Sequence, residues 1–256
     1  MKKTMKSLIG LALLLTSPAL FAITGLEIAQ THDDRDKPDT THMALQMDLI
    51  EANGKVSSRL IEQWGVEDND LANSIMVFRK PASVKDTRFL QVENEDRDDD
   101  KWIYLPAMKK VRRIASSDGS KSFMGSDASY DDMETRDIDR DTHELIREES
   151  FSTWDCYVVK GQAVDPSDSQ YAYRLTWFDK ETFYPVKVEM YDKKESLYKV
   201  MTVKDLKNID THWTPIDTLI ENVQNGHSTE MKVLNVEFDK PVNKRMFTTQ
   251  FLNTGR

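Results

Sequence analysis

The side chains that could do chemistry in this sequence concentrate in residues 102–133. Arg112 and Arg113 stand side by side there, and Asp127 and Asp132 follow them. A guanidinium can hydrogen-bond the ester or phosphate of a ligand head group, or it can pair with a carboxylate. Neighbouring residues of a strand face opposite sides of a sheet, so at most one of the two arginines points inward. The stretch therefore indicates a binding element or a loop fixed by ion pairs.

Motifs for catalysis or metal binding are weak in the rest of the chain. Residues 137–148 have carboxylates at four EF-hand positions, but Thr142 stands where that loop needs glycine. The acidic run 93–100 lacks the same glycine, and the histidines have no paired zinc spacing. The serine of the Gly-Ser-Asp motif at 125–127 lacks the second glycine of a nucleophile elbow. We therefore expect no enzyme activity, no metal site and no cofactor.

The single cysteine, Cys156, bounds the covalent chemistry of the chain. One cysteine can form no internal disulfide, even in an oxidising compartment. It lies between Asp155 and Tyr157 in a strand-like apolar pattern. This setting favours a packing role over a nucleophilic one.

The first 22 residues have the three-part layout of a secretory signal peptide. Lys2, Lys3 and Lys6 precede an apolar run at 8–15, and small residues up to Ala22 mark a cleavage site. Cleavage there would change the formal charge from −9 to −12, with 32 basic and 44 acidic residues remaining. Such a surface is poorly suited to nucleic acid or to an anionic bilayer. We predict a signal peptide at 1–22, one domain at 23–256, no nucleic-acid partner and no stable membrane insertion.

Alternating apolar and polar residues, interrupted by tight polar turns, predict antiparallel hairpins from Asp39 onward. Asn-Gly pairs at 53–54 and 225–226 match the twist of a two-residue hairpin turn. The apolar face changes parity between Val233 and Leu234, which predicts a β-bulge.

Helical signal is confined to the two ends of the mature chain. Residues 23–32 predict a short helix capped by Thr24, and residues 241–252 a brief second one. About 10 or 11 strands, each with one apolar face to bury, predict a mainly β fold: a single strongly curved antiparallel sheet. Periodicity alone leaves open whether its interior is filled or hollow.

Within the stretch 102–133 a set of residues has a specific order: Trp102, Tyr104, Leu105, Pro106, Arg112, Arg113, Phe123, Met124, Gly125, Ser126, Asp127, Tyr130 and Asp132. This order resembles the LolA-like periplasmic family, in its branch of outer-membrane lipoprotein-sorting proteins. The resemblance implies a half-open barrel with a hollow interior and a few short helices over its mouth. It also implies that acyl chains bind by reversible burial without covalent chemistry.

Under this resemblance, large apolar side chains become candidates for the wall or mouth of a lipid cavity, although a filled core would use the same residues for packing. The predicted wall and mouth residues are Trp64, Trp102, Tyr104, Arg112, Arg113, Phe123, Met124, Tyr173, Leu175, Trp177, Val188 and Met190. Gly125, Asp127 and Asp132 are predicted to shape a structural loop.

Two hypotheses for the function follow. The first is a periplasmic carrier or chaperone that shields the acyl chains of a lipoprotein or another lipid for transport toward the outer membrane. Short helices or the loop 116–132 would gate it, and an inner-membrane transporter and an outer-membrane acceptor would be its partners. The alternative is an envelope sensor or transporter-associated adaptor that uses the same fold as a protein-interaction module.

Overall fold

One antiparallel sheet accounts for most of the molecule. The computed structural model describes residues 22–69, 71–95 and 97–256, so the predicted signal peptide lies outside the described residues except for Ala22. The strands are β1 (Thr40–Ile50), β2 (Val56–Asp68), β3 (Leu71–Lys80), β4 (Arg88–Val92), β5 (Asp100–Leu105), β6 (Lys110–Ile114), β7 (Asp141–Phe151), β8 (Trp154–Ala163), β9 (Tyr173–Asp179), β10 (Pro185–Tyr191), β11 (Leu197–Ile209), β12 (His212–Asn222) and β13 (His227–Phe238).

The strand order makes this sheet an open structure with two edges. It runs β6-β5-β4-β3-β2-β1-β13-β12-β11-β10-β9-β8-β7, so β1 pairs with β13 and the edges are β6 and β7. The sheet curls without closing. The predicted fold class is confirmed, with 13 strands in place of 10 or 11. Strands β4, β5 and β6 have only five or six residues each, too few for alternation to separate them in the sequence.

Local signals in the sequence place the hairpin turns and the bulge as predicted, but the prediction of two-residue turns is wrong, because five residues separate β1 from β2 and four separate β12 from β13. Gly54 and Gly226 occupy the left-handed region, with φ of +84° and +74°, at the β1–β2 and β12–β13 turns. Ala44 pairs with Asn235, but Leu45 pairs with Val233. Leu234 is therefore an extra residue, which confirms the predicted bulge.

The two predicted helices are present, but they lie on opposite faces of the sheet. Helix α1 (Gly25–Asp33) begins at Thr24, whose hydroxyl accepts from the Glu27 N–H while the Glu27 carboxylate accepts from the Thr24 N–H. It contacts β7 and β8. Helix α2 (Thr249–Thr254) packs instead on β4, β5 and β6. No helix in the described ranges has the length and apolar character needed to cross a bilayer.

Both faces of the sheet carry apolar clusters, and this decides where the candidate site lies. We define the inner face by the cluster that contains Met47, Ile61, Phe89 and Ile103. The outer face of the same strands carries Ile75, Leu90 and their neighbours, which pack under Leu252 of α2. Only α1 is therefore near the inner face, and the prediction that short helices cover the mouth is wrong for α2.

Candidate functional site

The longest connection in the fold joins the two edges of the sheet. Residues 115–140, here called the crossing segment, run from the end of β6 to the start of β7. They contain three 3₁₀ turns, at Ser116–Asp118, Asp131–Met133 and Ile138–Arg140. The segment connects the two edge strands and passes across the inner face, where its Phe123 is buried in the inner-face cluster.

An aromatic anchor fixes the first part of the crossing segment. Phe123 is fully buried in the inner-face cluster, with its ring centroid 5.0 Å from that of Phe89 and 5.8 Å from that of Tyr130. Met124 and Gly125 follow with φ of +53° and +81°. This left-handed turn directs the Met124 carbonyl toward the guanidinium of Arg59, which donates to it. The segment therefore fills the inner face over β1 to β5.

Asp127 ties the next part of the segment to strand β13. Its carboxylate is buried and accepts from the Thr229 hydroxyl at 2.7 Å, and His227 Nδ1 lies 2.7 Å from the same oxygen. The Asp127 N–H donates to Thr229 Oγ1 at 2.9 Å. These contacts hold backbone and side chain at once, as a rigid loop requires.

Two buried lysines hold the last part of the segment, one from each half of the sheet. Lys101 of β5 lies 3.2 Å from Asp131 and also pairs with Glu134. Lys199 of β11 donates to Asp132 at 3.0 Å. Both ammonium groups are on side chains only 5% exposed. Removing one partner of a buried ion pair leaves an unpaired buried charge, so both lysines are needed to hold residues 131–134 in the position seen here.

Asp132 has further donors that complete its coordination. The Tyr171 hydroxyl donates to its two oxygens at 2.9 and 3.1 Å, and the Ser129 N–H donates at 2.8 Å. Burial raises the pKa of Asp132, but Lys199 and these donors outweigh burial, so the net pKa is lowered. Burial, with the charge of Asp132, raises the pKa of Tyr171. The carboxylate is thus held charged and the phenol neutral.

A cavity of about 640 Å³ lies beside these contacts, between the crossing segment and the inner face of β9 to β12. Its apolar lining comes from both the sheet and the segments around it, namely Ala29, Ile114, Ala115, Ile138, Phe178, Pro185, Val188, Met190, Met201 and Ile220. Its size falls within the range of about 300 to 1,000 Å³ that is usual for small-molecule sites. The inner face is therefore filled in the β1–β5 half and hollow in the other half.

Arginine–aspartate pairs form the rim on the β7 side of the cavity. Arg136 lies 2.7 Å from Asp141 and 3.3 Å from Asp168. Arg140 donates to Asp168 at 2.8 Å through Nε, and Arg174 lies 3.6 Å from Asp141. These pairs connect the crossing segment to β7, to β9 and to the β8–β9 connection. Asp141, one of the carboxylates of the EF-hand-like pattern, thus pairs with the guanidinium groups of Arg136 and Arg174.

The carboxylates on the opposite rim are in an unfavourable electrostatic setting. The pKa of Asp99 is raised to about 6, mainly by burial and also by the charges of Glu134 and Glu93, while a hydrogen bond from Gln91 and the charge of Lys101 lower it. Burial also raises the pKa of Glu134, despite its pair with Lys101. Carboxylates crowd this rim without enough cations to balance them.

Two predicted wall residues, Val188 and Met190, line the cavity. Phe123 and Met124 lie on the inner face but in the filled half, against the aromatic cluster. Gly125, Asp127 and Asp132 lie in the crossing segment, with Asp132 also at the cavity. The remaining predicted wall residues lie elsewhere.

The first group outside the cavity is on the outer face of strands β2 and β5. Trp64, Trp102 and Tyr104 pack in the cluster under α2. The reason is strand parity, because Lys101 and Ile103 occupy the inward positions of β5 and Trp102 and Tyr104 the alternate ones. Their apolar character reflects burial by the C-terminal helix.

The second group is on the outer face of strand β9. Trp177 and Leu175 pack with Cys156 and Val186, and the ring of Tyr173 stacks on Tyr191 at 4.4 Å. The positions that reach the cavity are Arg174, Thr176 and Phe178. The inward face of β9 is thus the more polar one at this point, opposite to the pattern that a simple amphipathic strand gives.

Arg112 and Arg113, which were predicted at the wall or mouth, do not line the cavity. Arg113 is on the outer parity of β6 and pairs with Asp100. Arg112 is on the inner parity, near Tyr130, and its charge lowers the pKa of that phenol, although burial raises it overall. Neither pairs with Asp127 or Asp132, whose partners are His227 and Lys199.

Sequence reasoning missed both buried lysines. The sequence contains a signal for one of them. Lys101 alternates with Ile103 and Leu105 on the same face of strand β5, so a cation lies on the apolar, inward face. An inward lysine needs a buried carboxylate, and the acidic residues of 131–134 supply it.

Comparison with known proteins gives one family model and several solved structures. The family model, described as uncharacterized protein, matches residues 70–254. A domain from Vibrio parahaemolyticus assigned to outer membrane lipoprotein sorting is 32% identical, with a TM-score of 0.85, 90% of this chain and 98% of that chain covered. A DUF1329 family protein from Desulfovibrio piger is 29% identical, with a TM-score of 0.85 and coverage of 89% and 97%.

A more distant structure shares the fold. A LolA superfamily protein from Nitrosomonas europaea is 19% identical, with a TM-score of 0.70 and coverage of 90% of this chain and 100% of that chain. No curated protein matches the chain.

Proposed function

This chain belongs to the LolA-like family, in its branch of outer-membrane lipoprotein-sorting proteins, and from that premise we propose that it is a periplasmic carrier of acyl chains. The cargo is a lipoprotein or another lipid, taken from an inner-membrane donor and passed to an outer-membrane acceptor. The observation that carries the proposal is the cavity of about 640 Å³ on the inner face of an open-edged sheet.

The volume sets the amount of chain that the cavity accepts with the crossing segment in place. A methylene occupies about as much space as a water molecule in the liquid, roughly 30 Å³. The cavity of about 640 Å³ therefore holds roughly 20 methylene equivalents. This suits one acyl chain with its linkage, and a cargo with several chains requires the crossing segment to move.

The lining supports reversible binding over permanent binding. Met190 and Met201 are unbranched and polarisable, and they adapt to chains of different shape. Each buried methylene contributes about 0.8 kcal/mol, so a chain of about 15 contributes about 12 kcal/mol. Association itself costs about 4 kcal/mol or more, which leaves about 8 kcal/mol, equivalent to a Kd of about 1 µM. Such an affinity retains cargo during transport and still allows its transfer. The mechanism needs no bond to be made or broken.

The crossing segment provides the gate. It is held by ion pairs and hydrogen bonds at Lys101, Lys199 and Arg140, all of which can be exchanged for water when the segment moves. Phe123 by contrast is fixed in an apolar cluster. We therefore assign the moving part of the crossing segment to residues 131–140 and the fixed part to residues 123–127, here called the Phe123 loop.

The test is to fill the cavity with two indole rings. Val188→Trp with Met201→Trp places both rings against the apolar lining, and the matched control, Val164→Trp with Met108→Trp, makes the same changes at exposed positions. Binding of a synthetic palmitoylated peptide is measured by calorimetry. We expect at least about a tenfold weaker Kd in the filled variant only, which is about 1.4 kcal/mol.

A second measurement covers the case in which the filled variant folds poorly. Natively purified wild-type protein is extracted with organic solvent and the extract is analysed by mass spectrometry. We expect an acylated molecule in near-stoichiometric amount. Empty protein that also fails to bind the palmitoylated peptide contradicts the proposal, and stable capture of an inner-membrane protein by the filled variant supports the adaptor function instead.

A further inference from the structure

The charges around the cavity are unequal. Its lining includes nine carboxylate side chains and four cationic ones, a formal balance of −5 from Asp, Glu, Lys and Arg. His32 adds no positive charge at neutral pH, because burial lowers its pKa to about 4. A ligand that enters this cavity therefore meets a negative potential.

The cations are already paired. Lys101, Arg136, Arg140 and Arg174 each lie within 4.0 Å of at least one carboxylate in the described residues. A guanidinium or ammonium in such a pair has to lose its partner before it can bind an anionic head group. The rim thus has no cation in reserve for an anionic ligand.

Some of the carboxylates, in contrast, are not balanced. Asp99 and Asp137 line the cavity, and no cation lies within 4.0 Å of either in the described part of the chain. Asp99 is half-buried and accepts only one side-chain hydrogen bond, from Gln91 at 2.8 Å. Burial is the main cause of the raised pKa values of Asp99 and Glu134, and the charges of neighbouring carboxylates add to it.

Exposure decides how much each carboxylate contributes. Asp98, which is 53% exposed, and Asp137, which is also exposed, have fields that are largely screened by solvent. Asp141 and Glu134 are 10% and 19% exposed, but each has a cationic partner. Asp99 combines partial burial with the lack of a partner, so it dominates the potential felt inside the cavity.

From this geometry we propose that the cavity selects acyl ligands by charge: it binds chains with an uncharged or cationic head and discriminates against anionic ones. The inference rests on the proposed function, because it names the class of cargo for the same cavity. Its cargo class is an acyl ester or amide without a negative head group. Free fatty acids and lipids with a net negative head bind more weakly because of the carboxylate rim.

The experiment uses three ligands that share a chain of 12 carbons. Dodecanoate is anionic, monododecanoylglycerol is uncharged and dodecyltrimethylammonium is cationic at pH 8. Calorimetry on the full-length mature protein at low ionic strength gives the three Kd values. We expect dodecanoate to bind at least about tenfold more weakly than the other two, and the difference to shrink as salt screens the charges.

Variants assign the effect to the rim. Asp99→Asn with Asp137→Asn removes the two unbalanced charges, and we expect the preference against dodecanoate to fall at least about threefold, since charge alone has changed. Glu181→Gln with Glu221→Gln removes the same charge from two exposed positions outside the cavity. This control is expected to keep the wild-type preference.

The outcomes separate the two proposals. Dodecanoate binding as tightly as the uncharged ligand overturns charge selection while leaving the carrier function intact. Equal effects in the rim variant and the control overturn the role of Asp99 and Asp137. If none of the three ligands binds, the carrier function fails and the selection proposal with it.

Discussion

Replacing Lys199 with methionine tests whether the buried pair with Asp132 holds the crossing segment. The two side chains are 5% and 14% exposed, and the Lys199 Nζ lies 3.0 Å from the carboxylate. Methionine keeps an unbranched chain of similar length and removes only the charge and its donors. Asp132 is then left with the Tyr171 and Ser129 donors but without a cation.

The magnitude follows from the geometry. Removing one partner of a buried ion pair costs about 3 to 5 kcal/mol. The remaining donors satisfy part of the Asp132 hydrogen-bonding capacity, so we expect the lower end, about 3 kcal/mol. Lys207→Met is the control, because Lys207 is 57% exposed and its pair with Asp205 at 3.0 Å is on the surface. An exposed pair contributes about 0 to 1 kcal/mol.

Native-state hydrogen exchange measures the effect where it occurs. Exchange at residues 131–140 is expected to become at least about 100-fold faster in Lys199→Met, because about 3 kcal/mol of protection is lost. The Phe123 loop and the strands should change less, since their contacts remain. Adding Asp132→Asn to the first change should restore at least about 1 kcal/mol, because an unpaired buried charge is then gone. Exchange rates at residues 131–140 within twofold of wild type in Lys199→Met, as in the control Lys207→Met, would refute the reasoning.

Three further predictions concern other parts of the fold. Gly25→Ala puts a Cβ 2.6 Å from the Leu145 nitrogen, so it should lower the free energy of unfolding in urea by about 1 to 3 kcal/mol. In the control, Gly161→Ala, the nearest atom to the new Cβ is at 3.8 Å, and no such loss is expected. Equal stabilities of the two variants would contradict this packing. The pKa of Asp99 is raised to about 6, so its charge lowers the free energy of unfolding above that pH and has no effect below about pH 4. Asp99→Asn should therefore stabilise the protein by on the order of 1 kcal/mol at pH 7.5, after solvent screening, and should not change its stability at pH 4. A variant that is less stable than wild type at pH 7.5 would contradict this. Cys156 is fully buried and its pKa is raised to about 11 by burial, so a thiol reagent at pH 8 should label it only as the protein unfolds, and rapid labelling of native protein would contradict that.

The elements of this fold are readable from the sequence because each depends on a local signal. The Thr24 cap and the parity change at Leu234 act within a few residues, and both are confirmed. The Asn-Gly pairs lie at turns as predicted, although the turns are longer than two residues. The sequence does not predict which face of each strand points to the interior. Alternation shows which residues share a face, but it cannot show which face is inside when both faces are buried.

Strand β9 illustrates this limit. Trp177 is apolar and almost fully buried, yet it lies on the outer face, where the ammonium of Lys187 is 4.1 Å from its ring centroid. The long side chain covers the indole in place of a second layer of protein. On the inner face Arg174 and Thr176 border a cavity that polar groups also line. A cavity with a charged rim therefore inverts the usual relation between apolar residues and the interior.

The lysine pairs bear on how far the sheet can open, because the covalent connection does not restrict it. The crossing segment has 26 residues between β6 and β7, and a chain of that length spans about 90 Å when extended. The contacts that residues 131–134 make with Lys101 of β5 and Lys199 of β11 restrict the separation of the two halves across the inner face. These strands belong to opposite halves of the sheet, so releasing either lysine loosens residues 131–134 from one half, while the Phe123 cluster and the arginine–aspartate pairs keep the rest of the segment attached. A cargo larger than one chain can be admitted by such a one-sided release, which leaves the Phe123 cluster packed and the sheet folded.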